Sequence, residues 1–197
     1  AFKSQNKKII DATCPFVSKP QNIVEKMSKD GYDIVIFGDK NHPEVKGIMS
    51  YALKNVFVVL NTDELMNKKI SNKVAVVSQT TKKVEEFTKI VSFLITRSKE
   101  VRVFNTICNA TLENQKAVEK LAKKADVMII IGGKNSSNTK QLYLISKQIC
   151  SDSYHIENES ELEKEWFKGK NLCGISAGAS TPDWIIANVS NKIRELS

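Results

Sequence analysis

The chain repeats its own organisation with a period of 94 residues, and that repeat limits the folds open to it. From Cys14 a helical stretch with apolar Ile23, Val24 and Met27 leads to the β-branched run Ile34-Val35-Ile36-Phe37, which stops at Gly38. From Cys108 a helical stretch with Val118, Leu121 and Ala122 leads to Met128-Ile129-Ile130-Ile131, which stops at Gly132. The glycine follows the cysteine by 24 residues in both copies. His42-Pro43-Glu44 lie 28 to 30 residues beyond Cys14, and Ser136-Ser137-Asn138 occupy the same offsets beyond Cys108. Each copy continues through a strand (Val56 to Leu60; Tyr154 to Ile156), an acidic helix start and a last strand (Val74 to Val77; Leu172 to Ile175) that feeds a polar loop and a helix. Short β-branched runs alternating with helical stretches predict an α/β fold with a parallel or mixed sheet. A period this long marks a duplicated domain, not a solenoid. The expected boundaries are 1–14 as a connector, 15–104 as one domain and 105–197 as the next.

Composition narrows the function classes. A length of 197 residues accommodates two domains of about 100 residues each. The longest apolar runs, Val127 to Ile131 and Val56 to Leu60, reach five residues, against the roughly 20 needed to span a bilayer. No membrane association is expected. The opening Ala1-Phe2-Lys3-Ser4 has neither an initiator Met nor an apolar leader, which predicts a cytoplasmic protein met at an interior point of a longer chain. The net charge of +8 is spread over scattered lysines, which suits either a solvated surface or a field that attracts anionic substrates or an acidic protein. With 7% aromatic residues and no basic stripe between them, nucleic acid is not an expected partner.

Four cysteines, at 14, 108, 150 and 173, form no C-x-x-C pair and follow no secretion signal, so metal or redox chemistry is favoured over disulfides. Cys14 and Cys108 occupy one repeat position, where a packing residue would have no reason to recur, and are expected to be a matched pair of working thiolates. Cys150, at a helix end, and Cys173, within a strand, are expected to pack.

The repeated loops fall where open α/β sheets bind ligands, beyond the carboxyl ends of the strands and at helix N-termini. Ser136, Ser137 and Asn138, and in another loop Ser180 beside Gly178, read either as plain helix caps or as a phosphate or diphosphate cradle. His42-Pro43-Glu44 sets a turn with Pro and brings an imidazole and a carboxylate to one mouth; Glu44 reads as a first-turn acid or as a proton donor that His42 tunes. Thr80 reads as a cap or as a hydrogen-bond partner of the reacting group.

Six motifs, taken in order, resemble the hydroxymethylbutenyl diphosphate reductases, iron-sulfur enzymes at the end of the non-mevalonate isoprenoid pathway. They are Asp11-Ala12-Thr13-Cys14-Pro15, His42-Pro43-Glu44-Val45 with Gly47, Ser78-Gln79-Thr80-Thr81, Ile107-Cys108 with Ala110-Thr111, Lys134-Asn135-Ser136-Ser137-Asn138, and Ala177-Gly178-Ala179-Ser180 with Pro182-Asp183. The resemblance implies a trefoil of three pseudo-equivalent α/β domains, with the first domain absent from this chain. It implies a [4Fe-4S] cluster with Cys14 and Cys108 as two of three thiolate ligands and the third outside the chain. It further implies Glu44 as the proton donor, His42 and Thr80 beside it, and Ser136, Ser137, Asn138 and Ser180 on the diphosphate. The implied reaction is reductive dehydroxylation of 4-hydroxy-3-methylbut-2-enyl diphosphate, an allylic diphosphate, to isopentenyl and dimethylallyl diphosphate. A ferredoxin or flavodoxin is the implied electron donor. With two thiolates alone, the chain by itself is expected to hold no stable cluster and to be inactive. The rival readings are a phosphometabolite-binding module with packed cysteines and a zinc hydrolase built on Cys14, Cys108 and His42, the latter disfavoured because no ligand pair has local zinc spacing.

Overall fold

The computed structural model of the chain describes residues 14–196. Asp11, Ala12 and Thr13 of the first motif lie outside the described residues. These residues fall into two compact units, one holding the chain up to Thr80 with Val84–Thr106, the other Thr81–Lys83 with everything from Ile107.

The first unit runs α1 (Pro15–Lys29), β1 (Asp33–Phe37), α2 (Pro43–Met49), β2 (Val56–Val59), α3 (Asp63–Met66), β3 (Lys73–Ser78), α4 (Val84–Ile95) and β4 (Glu100–Phe104). Its four strands are all parallel, in the order β2-β1-β3-β4. All five residues of β1 are buried, the condition of a central strand covered on both faces, and the reason Ile34 to Phe37 after Asp33 are a continuous apolar run and not an alternation. On one face Ile34 and Ile36 of β1 and Ala75 and Val77 of β3 pack with Val24 and Met27 of α1 and Val45 and Ile48 of α2. On the other, Phe37 stacks on Phe87 of α4 with ring centroids 6.2 Å apart.

The second unit runs α5 (Asn109–Ala122), β5 (Val127–Ile131), α6 (Ser137–Ile149), β6 (Ser153–Ile156), two short 3-10 turns (Glu159–Glu161 and Lys164–Phe167), β7 (Cys173–Ala177) and α7 (Asp183–Leu196). Its three strands are parallel in the order β6-β5-β7. Alternate residues of β5 serve opposite cores, as strand geometry requires. Met128 and Ile130 meet α5 and α6 through Val118, Ala122, Leu142 and Ile145, while Val127, Ile129 and Ile131 meet Phe167, Val189 and Ile193. Cys150 is buried in the first of these clusters, and Cys173 packs against the second. Burial pushes the Cys173 thiol up to about 11.

The strand that leads into Cys108 is β4, which pairs with β3 in the first sheet, Val101 opposite Val74 and Val103 opposite Val76. One detail departs from the sequence expectation. The last strand of the second unit starts one residue later than expected, at Cys173, and continues through Ser176 and Ala177, because Ala177 still pairs with Ile131. Among the described residues no helix is long and apolar enough to cross a membrane.

Candidate active site

The registers align the two units residue by residue. Phe37 pairs with Ser78 and Val59, as Ile131 pairs with Ala177 and Ile156. Gly38 therefore corresponds to Gly132, Glu44 to Asn138, Val45 to Thr139, Gln79 to Gly178 and Thr80 to Ala179. Gln79 N–H donates to the Phe37 carbonyl at 2.8 Å and Gly178 N–H to that of Ile131 at 2.9 Å, the same bond in each copy.

In the first unit the strand ends converge on Glu44. Pro43 opens α2 and His42 caps it, with Nδ1 accepting the Glu44 backbone N–H at 3.2 Å. That acceptance assigns the His42 proton to Nε2 and leaves an N–H donor on the far side of the ring. The imidazole thus holds the backbone of Glu44. Its carboxylate is engaged by Thr80: Oε1 accepts the Thr80 backbone N–H at 2.8 Å and Oε2 the Thr80 hydroxyl at 2.9 Å. The Thr80 loop is itself fixed. Gln79 is fully buried and its Oε1 accepts the Asp39 N–H at 3.0 Å. The buried Thr106 hydroxyl accepts the Ser78 N–H at 2.9 Å and donates to the Ser78 carbonyl at 2.5 Å. Gly38 is required here, since a Cβ on it would stand 2.8 Å from Val45 Cγ2 and 3.0 Å from Gln79 Cβ.

The second unit uses the same positions differently. Ser136 caps α6, its hydroxyl oxygen accepting the Thr139 N–H at 3.2 Å, which leaves the hydroxyl proton free to donate. The Ser137 hydroxyl lies 2.8 Å from that of Thr81. Asn138 is buried, yet among the described residues neither Nδ2 nor Oδ1 has a hydrogen-bond partner, and neither does Thr139 Oγ1 or, on α5, Gln115 Nε2. An unpaired buried amide or hydroxyl costs about 1–3 kcal/mol, so Asn138 and Thr139 at the start of α6 offer donors and acceptors that an ordered water or a polar ligand can satisfy. Gly132, at φ +144°, and Gly178 both lie against Thr139, and a Cβ on Gly178 would overlap its Oγ1. Ser180 is exposed in the turn between β7 and α7.

Cys14 and Cys108 occupy the same local geometry. Each is the N-cap of its helix with extended backbone, φ −55° and ψ 129° for Cys14 against φ −70° and ψ 131° for Cys108, and neither side chain caps. Both thiols are free, Cys14 exposed and Cys108 half-buried. Each is a soft donor at the positive end of a helix, the chemistry that suits an anionic thiolate ligand of a soft metal. Among the described residues, no three His, Cys, Asp or Glu side chains come together as a metal-binding group. The model of the LytB protein family matches residues 1–194.

The chain belongs to the LytB family. It is 70% identical over 196 residues to a 4-hydroxy-3-methylbut-2-enyl diphosphate reductase of Campylobacter fetus, covering 100% of this chain and 70% of the relative. It is 72% identical over 195 residues to the protein so named in Campylobacter hominis, covering 99% and 71%. A solved structure of (E)-4-hydroxy-3-methyl-but-2-enyl diphosphate reductase, described as the terminal enzyme of the non-mevalonate pathway, matches with a TM-score of 0.63 and 46% identity over 98% of this chain and 70% of the other. The reductase structure from Plasmodium falciparum matches with a TM-score of 0.85 and 31% identity over 92% and 58%. Within this LytB chain, the sequence motifs pointed to Glu44, Thr80 and the Ser-Ser-Asn run. Thr139, Gln79 and Thr106 were passed over, although Thr139 could have been noticed as a hydroxyl where the first copy has Val45.

Proposed function

We propose that this chain is the part of a 4-hydroxy-3-methylbut-2-enyl diphosphate reductase that supplies the proton donor and the diphosphate cradle. One observation bears most of the weight: identity of 70% or more with reductases so named, over essentially the whole chain. Removal of the substrate's hydroxyl as water requires two electrons and two protons, one proton for the departing oxygen and one for carbon. Glu44 delivers the first of these. The bidentate contact with Thr80 fixes its carboxyl, and the Thr80 hydroxyl gives a short route for the proton to and from it. The His42 Nε2–H, the hydroxyls of Ser136, Ser137 and Ser180, and the unpaired amide of Asn138 hold the diphosphate, which accepts hydrogen bonds at every oxygen. Its negative charge suits the N-terminus of α6.

Cys14 and Cys108 would be two of the protein ligands of a [4Fe-4S] cluster, which when bound supplies one-electron steps and an open iron for the substrate's oxygen. In this reading the domains expected from the sequence, 15–104 and 105–197 behind a connector at 1–14, are two of three pseudo-equivalent domains. The third thiolate comes from sequence outside the span matched here. The electrons come from an acidic carrier such as a ferredoxin or flavodoxin, for which a basic chain of net charge +8 is suited.

Iron and acid-labile sulfide, measured after anaerobic reconstitution of the full-length protein, test this reading. Cys14→Ser and Cys108→Ser are each expected to lose iron with folding retained, and Cys150→Ser to keep it. Retention of iron in both of the first two variants, with diphosphate binding intact, would favour a phosphometabolite-binding module instead.

A further inference from the structure

The loop from Gly132 to Asn138 carries the proposed diphosphate cradle, yet Gly133, Lys134 and Asn135 are exposed and belong to no element. In the first unit the matching loop is tied by Gln79, whose side chain accepts the Asp39 N–H. The second unit has Gly178 in that place, where no side chain fits against Thr139, so Gly178 cannot supply this tether.

A different set of residues replaces it from the other flank. The Lys134 backbone N–H donates to Glu157 Oε1 at 2.6 Å, the Glu157 N–H donates to Glu161 Oε1 at 2.9 Å, and the Lys134 ammonium pairs with Glu161 Oε2. These three links close a ring through Lys134, Glu157 and Glu161. His155 Nε2 adds a 2.8 Å contact to the Gly132 carbonyl. Among the described residues the first unit has no such ring. There Glu64 accepts the Leu60 N–H at 3.3 Å, the counterpart of the Glu157–Glu161 bond, but Leu60 stands where Glu157 does. Among the described residues Lys40, the counterpart of Lys134, makes no ion pair.

We propose that Glu161 and Glu157, clasped to Lys134, are positioning residues for the diphosphate: they fix the cradle loop, while Lys134 cancels carboxylate charge that would repel the ligand. The inference rests on the reading of Ser136, Ser137 and Asn138 as the diphosphate cradle. The Lys134 ammonium holds the Glu161 carboxyl below its usual range, and Glu161 holds the Lys134 ammonium above its own, as a working pair requires.

Titration of this chain with inorganic diphosphate, alongside thermal unfolding, tests the clasp. Glu161→Ala is expected to weaken diphosphate binding about tenfold, the scale of one lost charge-assisted contact. Glu161→Gln, which can still accept the Glu157 N–H, should fall between it and the parent. Both should stay folded and melt at most a few degrees below the parent, and Glu64→Ala, in the first unit, should bind as the parent does. In the reconstituted full-length enzyme the two Glu161 variants should raise KM and leave kcat unchanged. Parent-like binding by Glu161→Ala overturns the proposal. Tighter binding by Glu161→Gln also overturns it, because Glu161 would then be competing with the ligand for Lys134. A parent chain that binds no diphosphate removes the cradle reading and the clasp with it, whereas a binding parent with an indifferent Glu161→Ala removes the clasp alone.

Discussion

The two units put one scaffold to opposite uses. At the strand ends of the first unit every buried polar group named above has its partner, Glu44 with Thr80, Gln79 with Asp39 and Thr106 with Ser78. At the same positions of the second unit a carboxylate has become the amide of Asn138, Val45 has become Thr139, and Thr80 has become Ala179, which has no hydroxyl to offer. Asn138 and Thr139 are consequently buried without partners. A closed hydrogen-bond set can keep a proton donor in one geometry. An open one keeps its donors and acceptors for a ligand, at a cost to the empty protein. Under the proposed roles, a duplicated fold divides binding and chemistry by which copy is left incomplete.

Replacement of the two equivalent residues tests that division with the largest expected effect. Glu44→Gln should lower turnover by roughly 100- to 10,000-fold, the usual range for loss of general acid catalysis, with little change in KM. Asn138→Leu should instead raise KM and leave kcat near the parent value. Steady-state kinetics of the reconstituted full-length enzyme separates the two, and matching KM changes would end the comparison.

Stability without ligand is the next test. Thr80→Val leaves one Glu44 oxygen without its donor and should cost about 1–2 kcal/mol in urea unfolding. Thr139→Val should cost nothing, or stabilise by up to about 1 kcal/mol, because the hydroxyl it removes is already unpaired. A destabilising Thr139→Val would mean that its hydroxyl has a partner after all. Gly178→Ala, which drives a Cβ into Thr139 Oγ1, should cost about 1–3 kcal/mol, and Thr139→Ala in the same chain should recover part of it.

The smallest effect is with pH. The Tyr32 hydroxyl, which donates to Glu100, together with Arg102 and Lys73, holds the Glu100 carboxyl below its usual range, and Lys134 does the same for Glu161. A carboxyl lowered in the folded state contributes stability above its unfolded value and loses it as pH falls through the folded one. The melting temperature should therefore drop below about pH 5, and Glu100→Gln in the first unit or Glu161→Gln in the second should each flatten part of that slope. Tyr32 is raised in turn, chiefly by the bond to Glu100, so its share is present below the unfolded value and fades at strongly alkaline pH.

Sequence alone determined the alternation of strands and helices, the 94-residue repeat, the Pro43 and Ser136 helix starts and the equivalence of Cys14 with Cys108, because each is written in spacing along the chain. The six motifs also pointed to the family. Tertiary structure decided who bonds to whom. Thr80 lies 36 residues from Glu44, and only the parallel pairing of β1 with β3 brings the two loops together. His42, expected beside Glu44, meets it through the Glu44 backbone N–H, which its Nδ1 accepts. Glu157 and Glu161, around the acidic helix start, reach Lys134 only once β6 is placed beside β5. Periodicity fixes which face of an element is buried, but whether a buried hydroxyl or amide finds a partner depends on angstrom-scale distances between loops that are remote in sequence, and no local pattern encodes those.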